Sequence, residues 1–443
     1  MSKREFNNFP EPEFGTEKMP TGETHLNYII FSDDVESYRQ RGNQAVFTDT
    51  VCIPDGITVI KRAVHPRLTS VAVPHTVHTI GTFAFSALAG HQTYEGYYDP
   101  REDDPIGNGY NTRLRTVILS EGLRVIGDSA FMCMTAITGL KLPKGLEYIK
   151  EDAFRGCDGL TEIVFPASIK KLGDGAFSFC NGIKKIIFND GIEEFPDNLF
   201  RSNSALTELT LPKTLKKTGD FCFSQCLSLE NIELPDSVEK IGEYAFSKCT
   251  AIKEFTFKRD IACGENVFYQ CENLTDFNIG SDVKHPEALP AAPCLKSISV
   301  AKGHPDFVTV DGAVYTKDKK TLVRVPFGIS GEFTVPRGVT TIGNSAFSGC
   351  RSIRNVSLPS SLDTVGDNAF SGCSNLKEIT LGGKVRRVGN RAFAECERLE
   401  KLHISASVTE IGASVLEDSG YPEITVSPAN PVFTVRNGDL VRK

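Results

Sequence analysis

Leu229-Glu230-Asn231-Ile232-Glu233-Leu234-Pro235-Asp236-Ser237-Val238-Glu239-Lys240-Ile241-Gly242-Glu243-Tyr244-Ala245-Phe246-Ser247-Lys248-Cys249 is one period of a chain that repeats itself. Aligning the chain on its Ile-Gly and Val-Gly pairs puts Gly127, Gly173, Gly219 and Gly242 in one series and Gly343, Gly366, Gly389 and Gly412 in another. Every separation inside a series is 23 or 46 residues. Four residues after the Gly position stands a phenylalanine in nine periods of the two series, Phe131, Phe154, Phe177, Phe200, Phe223, Phe246, Phe347, Phe370 and Phe393, with Leu416 in its place after Gly412. Three residues beyond most of these comes a cysteine, at Cys157, Cys180, Cys226, Cys249, Cys271, Cys350, Cys373 and Cys396. A fourth column is proline, at Pro143, Pro166, Pro212, Pro235, Pro336 and Pro359.

Within a period the chain makes two different demands on its backbone. Leu376-Lys377-Glu378-Ile379-Thr380-Leu381 alternates apolar and polar residues, as a half-buried strand does. Asp367-Asn368-Ala369-Phe370-Ser371-Gly372-Cys373 supports only a short helical turn. One strand and one turn cannot bury their own Leu, Ile and Phe, so neighbouring periods must stack. A Phe buried in that stack contributes roughly 1.5–3 kcal/mol, which makes the Phe column the expected spine. The Cys column reads as a small apolar residue filling a fixed core slot, with Met134 and Asn203 taking its place in two periods. Stacked rungs about 4.8 Å apart would permit pairing, but 13 Cys is an odd total that fits reduced thiols better than a disulfide scaffold.

The pattern Leu-x-x-Ile-x-Leu-Pro-x-x-Leu-x-x-Ile-Gly-x-x-Ala-Phe-x-x-Cys resembles the BspA-type leucine-rich repeat family, and its four columns keep register over most of residues 50–427. The resemblance implies a leucine-rich-repeat solenoid of the α/β class, strand-rich, wound as a right-handed curved superhelix. It also implies a surface protein of the kind found in anaerobic bacteria and some protist parasites, linked to adhesion and host-protein binding. It supplies no ligand.

Composition narrows the function. The chain is 40% hydrophobic and 24% charged, with 38 Gly and 23 Pro, which is globular and turn-rich. Its 49 Lys+Arg against 56 Asp+Glu give a formal charge of −7 without a basic block, so nucleic acid is not an expected partner. No stretch of about eighteen apolar residues occurs, and membrane insertion is not expected. Residues 1–8 lack an apolar segment of the secretory kind, which leaves a cytoplasmic location open beside the surface location that the resemblance implies.

The departures from the period divide the chain. Residues 1–45 read as a leader whose Tyr28-Ile29-Ile30-Phe31 covers the first rung as a strand or helix. Residues 46–280 are repeats, with one slightly irregular rung where Gly264 follows Gly242 by 22 residues and Cys263 replaces the usual Ile. Residues 89–113 are an insertion carrying Tyr94, Tyr97, Tyr98 and Tyr110 beside Asp99, Glu102, Asp103 and Asp104. These tyrosines suit recognition, and a plain surface loop is the alternative. Residues 281–330 hold an irregular rung and a β-hairpin insertion signalled by Asp311-Gly312, with Thr321–Val325 as a following strand. Repeats resume over 331–427. Residues 428–443 copy the hairpin motif, Pro431, Phe433, Asn437-Gly438 and Leu440 matching Pro305, Phe307, Asp311-Gly312 and Val314. The copy reads as stopping before its hairpin finishes, as a capping strand or a cut, and a cap is favoured because terminal repeats are often atypical.

Chemistry finds little foothold. His65, His75, His78 and His91 lie near one another in sequence, but the columns put His75 in a turn and His78 at a strand-flanking position where other periods carry Glu147 or Glu239. No phosphate-binding Gly loop, nucleophile elbow or zinc-protease helix appears, so no catalytic residue, metal or cofactor is expected. What remains is surface. Residues flanking the central Ile of each long strand point away from the core, onto the expected concave face. Among them Glu162, Glu208, Glu233, Glu254 and Asp276 form an expected acidic band suited to a basic partner, with evenly solvated acids as the alternative. The expectation is a monomeric, non-enzymatic protein-binding module for adhesion or host interaction. A cytoplasmic interaction scaffold and a structural spacer of a longer surface protein are the alternatives.

Overall fold

Alternating apolar residues make each Leu-x-x-Ile-x-Leu segment a strand, and parallel pairing with the same segment of the next period removes its backbone from water. The structure, a computed structural model, describes residues 13–18, 24–30, 49–53, 55–61, 68–86 and 114–443. It forms two units, Met1–Leu229 and Glu230–Lys443. In the first, Glu162–Phe165, Lys185–Phe188 and Glu208–Thr210 are long strands in parallel register, Glu162 opposite Lys185 and Lys185 opposite Glu208. In the second, the longest such sheet has five strands from Gly331–Thr334 to Glu423–Val426.

After the long-strand segment a turn, with proline in several rungs, leads to a two-residue strand in a second parallel sheet. Val125–Ile126, Tyr148–Ile149 and Lys171–Leu172 are consecutive examples in the first unit, as are Thr341–Ile342, Thr364–Val365 and Arg387–Val388 in the second. The leader supplies a strand to this sheet: Thr24–Ile30 pairs in parallel with Val59–Ile60, and Glu13–Lys18 pairs antiparallel on its far side. Gly173, which follows one short strand, has to be glycine because a Cβ there would lie 2.2 Å from the backbone nitrogen of Glu151.

The segment that closes each period is not the helical turn expected from its spacing. No α-helix occurs among the described residues, and a single 3₁₀ turn spans Pro286–Ala288. Consecutive β-turns replace it, with a left-handed residue two and six positions after the Gly position, for example Ser129 (φ 51) and Cys133 (φ 60). Ala130 and Met134 close local turns onto Gly127 and Phe131, while the amides of Ser129, Phe131 and Cys133 reach the carbonyls of Glu151, Ala153 and Arg155 at 2.7–2.8 Å. The alternation of handedness aims every second N–H along the stack. The turn is therefore a third ladder, with interperiod bonds that a helix would have kept inside the segment.

These three ladders enclose the Phe column. Phe131 lies 5.0 Å from Phe85 and from Phe154, with rings within 6° of parallel, and Phe370 lies 4.7 Å from Phe347 and 5.3 Å from Phe393. All are fully buried. Offset parallel rings at this spacing add to the burial energy.

The insertion at 89–113 lies outside the described residues. In the irregular rung, Ala262–Cys263 still pairs in parallel with Lys240–Ile241. The predicted hairpin forms between Phe307–Val310 and Ala313–Thr316, turning at Asp311 (φ 47) and Gly312 (φ 78), and Thr321–Arg324 adds antiparallel to its second strand. Its copy, expected to stop short, closes: Phe433–Arg436 pairs with Asp439–Arg442 about Asn437 (φ 53) and Gly438 (φ 88). Two positive-φ residues fit the twist of paired strands, so Asn-Gly suffices to complete the turn.

Candidate interaction surface

The acidic residues predicted from the long strands do point outward. In the first unit Glu162 and Glu208 are exposed, but Lys185 stands between them in register and its Nζ lies 3.2 Å from Glu208 Oε2. In the second unit Glu254 faces Asp276 directly, and Asn278 Nδ2 donates to Glu254 Oε2 at 3.1 Å while Thr275 Oγ1 donates to Asp276 Oδ2 at 2.6 Å. Glu233 is exposed and lies outside any strand. Glu254 and Asp276 are thus a carboxylate pair, whereas Glu162 and Glu208 share a cation. Tyr94, Tyr97, Tyr98 and Tyr110 fall outside the described residues.

One feature of this face was missed. The rung Gly331–Thr334 adds Glu332, and Glu423 adds another acid, so the second unit carries Glu332, Asn355, Glu378, Lys401 and Glu423 in one register column. The signal was available in the six-residue pattern Gly331-Glu332-Phe333-Thr334-Val335-Pro336, whose missing Leu hid it. The first unit carries two exposed apolar residues, Ile118 (58% exposed) and Val164 (43% exposed), two rungs apart in the neighbouring outward column.

In the first unit the residue following the Gly position is acidic in five successive rungs: Asp128, Glu151, Asp174, Asp197 and Asp220. These side chains act partly as rung-to-rung acceptors. Asp197 Oδ1 takes the amide of Asp220 at 2.7 Å, and in the second unit Asn344, Asp367 and Asn390 take the amides of Asp367, Asn390 and Ala413 at 2.7–2.9 Å. Burial holds the neighbouring Asp152 carboxyl above its ordinary range, with like charge from Glu151 and Asp174 adding to it against the pull of Arg155 at 3.6 Å.

Three carboxylates of the short-strand face pair with cations one rung on. Lys170 pairs with Glu147 at 2.6 Å, Lys216 with Glu193 at 2.7 Å and Arg386 with Asp363 at 2.6 Å. The Arg386 guanidinium holds the Asp363 carboxyl below its ordinary value.

The Cys column is buried and chemically quiet, and it donates hydrogen bonds. The Sγ of Cys157, Cys180, Cys226, Cys271, Cys373 and Cys396 each reaches the carbonyl of the Phe one rung earlier, at 3.0–3.4 Å. Burial pushes the thiols of Cys226 and Cys396 up to about 12. His75 pairs with Asp55 at 3.5 Å and His78 with the hydroxyl of Thr79 at 2.9 Å, while His65 and His91 fall outside the described residues. Among the described residues no group of His, Cys, Asp or Glu is arranged to hold a metal ion. A depression lined by Phe257, Asp260, Val283, His285 and Leu289 has a volume of about 40 Å³, far below the roughly 300–1,000 Å³ of small-molecule sites. No helix of the described residues is long and apolar enough to cross a membrane.

Two parallel sheets and a turn ladder, repeated at 23-residue spacing around a phenylalanine stack, define each unit as a leucine-rich-repeat solenoid. The model of the BspA type leucine rich repeat region matches in six copies, over residues 109–207, 182–288 and 330–433, more than half of the chain. The chain belongs to the BspA-type leucine-rich repeat family. A leucine-rich repeat protein from Bacteroides ovatus has a similar structure, with a TM-score of 0.55 at 23% identity, covering 93% of this chain and 92% of its own. A leucine rich cell surface protein from Faecalibacterium prausnitzii is matched at 20% identity over 94% of this chain and 95% of its own, with a TM-score of 0.36. A Treponema pallidum leucine-rich repeat protein is matched at 18% identity over 54% and 77%, with a TM-score of 0.24. No curated protein matches the chain.

Proposed function

We propose that the chain is a monomeric, non-enzymatic protein-binding module that meets a basic partner on the solvent face of its long-strand sheets. One contrast carries the reading. Glu147, Glu193 and Asp363 on the short-strand face are answered by cations on adjacent rungs, whereas Glu254 faces another acid, Asp276, in the long-strand sheet. Exposed acids with flanking Thr, Ser and Asn offer a polar, adaptable contact, and such a face steers a basic partner by charge. Family membership supports a binding role. The finer reading is adhesion or host-protein interaction at the cell surface; Tyr94, Tyr97, Tyr98 and Tyr110 in the insertion are a second candidate contact.

The test is a pull-down with the intact chain, a Glu254→Lys/Glu378→Lys variant, a Glu239→Lys control on the short-strand face, and a deletion of residues 89–113. The long-strand variant is expected to lose the partner while the control keeps it. Retention by all three variants sinks the assignment. Protease shaving of intact cells tests location, and full protection of the chain there favours the cytoplasmic scaffold instead.

A further inference from the structure

The hairpin motif occurs twice in the second unit, and each copy is anchored by one buried side chain that accepts two amides. His304 Nδ1 accepts those of Asp306 and Phe307 at 3.1 and 3.2 Å, and Asn430 Oδ1 accepts those of Val432 and Phe433 at 2.8 and 2.7 Å. Each copy is also clasped by one lysine: the Lys317 amide bonds Asp306 O and its Nζ bonds His304 O, and the Lys443 amide bonds Val432 O while its Nζ bonds Asn430 O. The anchors differ in one property. An imidazole takes up a proton in the physiological range, and a carboxamide does not.

His304 is 1% exposed, and its partners fix its protonation. An amide N–H only donates and a carbonyl only accepts, so the Nδ1 lone pair faces Asp306 and Phe307 while Nε2–H donates to Val283 O at 3.0 Å. The ring is the neutral Nε2–H tautomer with both nitrogens engaged. A proton on Nδ1 turns the acceptor into a donor aimed at two donors. The charged groups on the segments around the ring do not answer the cation so formed: Lys317 sets its ammonium on the His304 carbonyl, and Asp282, Lys284, Lys302 and Asp306 are exposed. Among the described residues the ion-paired histidines are His75, with Asp55, and His285, with Glu287.

The segment that His304 holds is an edge. Phe307–Val310 is the outermost strand of a seven-stranded sheet and covers one side of Ala313–Thr316. Thr309 Oγ1 ties it to the rung beneath, accepting the Val300 amide at 2.8 Å and donating to Ile298 O at 2.9 Å. Its four residues are half-buried, whereas Val314 is fully buried. Ala313–Thr316 is held on its other side by Thr321–Arg324, so the outer strand can part while the inner one stays.

We propose that His304 is an acid-sensitive latch: protonation at Nδ1 releases Phe307–Val310 and bares the outer edge of Ala313–Thr316, while the Asn430 copy stays closed. The latched ring holds one proton and the released ring can hold two, so falling pH favours the open form. An exposed imidazole takes its second proton near about pH 6.5, which places the opening below that value.

The test reads amide protection factors, which remove the intrinsic pH dependence of exchange, over 306–310 and 432–436 of the full chain at about pH 7.5 and about pH 5. Protection over 306–310 is expected to fall about tenfold or more relative to 432–436. His304→Asn, which keeps the acceptor and does not titrate, should abolish that fall. A constant ratio in the native chain, or an equal fall in His304→Asn, overturns the proposal. So does a fall spread evenly over 341–388, which is loss of the whole unit. The ratio in the native chain decides even where the variant folds poorly.

Discussion

Phe370 has another Phe ring on each side of it, 4.7 and 5.3 Å away, and no exposure to solvent. Removing its ring opens a cavity between two rungs that backbone ladders hold at fixed spacing, so the gap cannot collapse. Phe370→Ala is expected to destabilise by about 3–5 kcal/mol, and Glu378→Ala on the exposed strand face by less than about 0.5 kcal/mol. Equal shifts in thermal midpoint for the two would contradict the column assignment. Cys373 makes a finer demand. Its thiol donates to Phe347 O at 3.2 Å, and at the corresponding place in a later rung Ser419 Oγ donates to Phe393 O at 2.6 Å. Cys373→Ser should therefore cost less than Cys373→Ala, which leaves a buried carbonyl unanswered at about 1–3 kcal/mol. Denaturant titration checks the order, and apolar filling alone predicts the reverse.

At the scale of an element, His304 and Asn430 do one job with different side chains. Each takes two hairpin amides, and each passes a donor back to the rung beneath, His304 Nε2 to Val283 O at 3.0 Å and Asn430 Nδ2 to Ser405 O and Val408 O at 2.8 and 2.9 Å. His304→Asn should keep both amides paired and cost little. His304→Ala strands two donors and one acceptor, each at about 1–3 kcal/mol. Hydrogen exchange across 306–316 should then rise in the Ala variant only; a rise of similar size in the Asn variant would show that imidazole itself is required. The hairpin was legible in Asp311-Gly312, because that dipeptide alone fixes the turn. Its anchor was not, because a His and an Asn share no composition signal until the backbone brings two amides to each. The helical turn expected at Asp367–Cys373 failed for a similar reason. Spacing of Ala369, Phe370 and Cys373 is compatible with a helix, but positive φ at Asn368 and Gly372 turns the amides toward the next rung.

For the whole molecule, the period made the fold and core readable because identical periods can bury their Phe only by stacking. It could not settle the surface, since a period fixes which side chains face outward and leaves their charge to each rung: Lys185 interrupts Glu162 and Glu208, while nothing comes between Glu254 and Asp276. The Cys column adds a property that no single residue shows. Cys226 in one unit and Cys396 in the other are fully buried, each donating to a Phe carbonyl, and burial raises both thiols to about 12. A pKa raised in the folded state makes the folded chain hold a proton that the unfolded chain releases, so rising pH drains the stability that the protonated thiol carries. That stability is complete below the ordinary thiol value of about 8.5 and is lost as pH rises toward 12. Between these limits each such thiol steepens the loss by about 1.4 kcal/mol per pH unit. Stability measured from pH 8 to pH 11 should fall accordingly, and Cys226→Ser/Cys396→Ser should flatten the fall by roughly 3 kcal/mol per unit, because serine keeps the donor and does not ionise in this range. An unchanged slope in that variant would mean that the alkaline loss arises outside the thiol column.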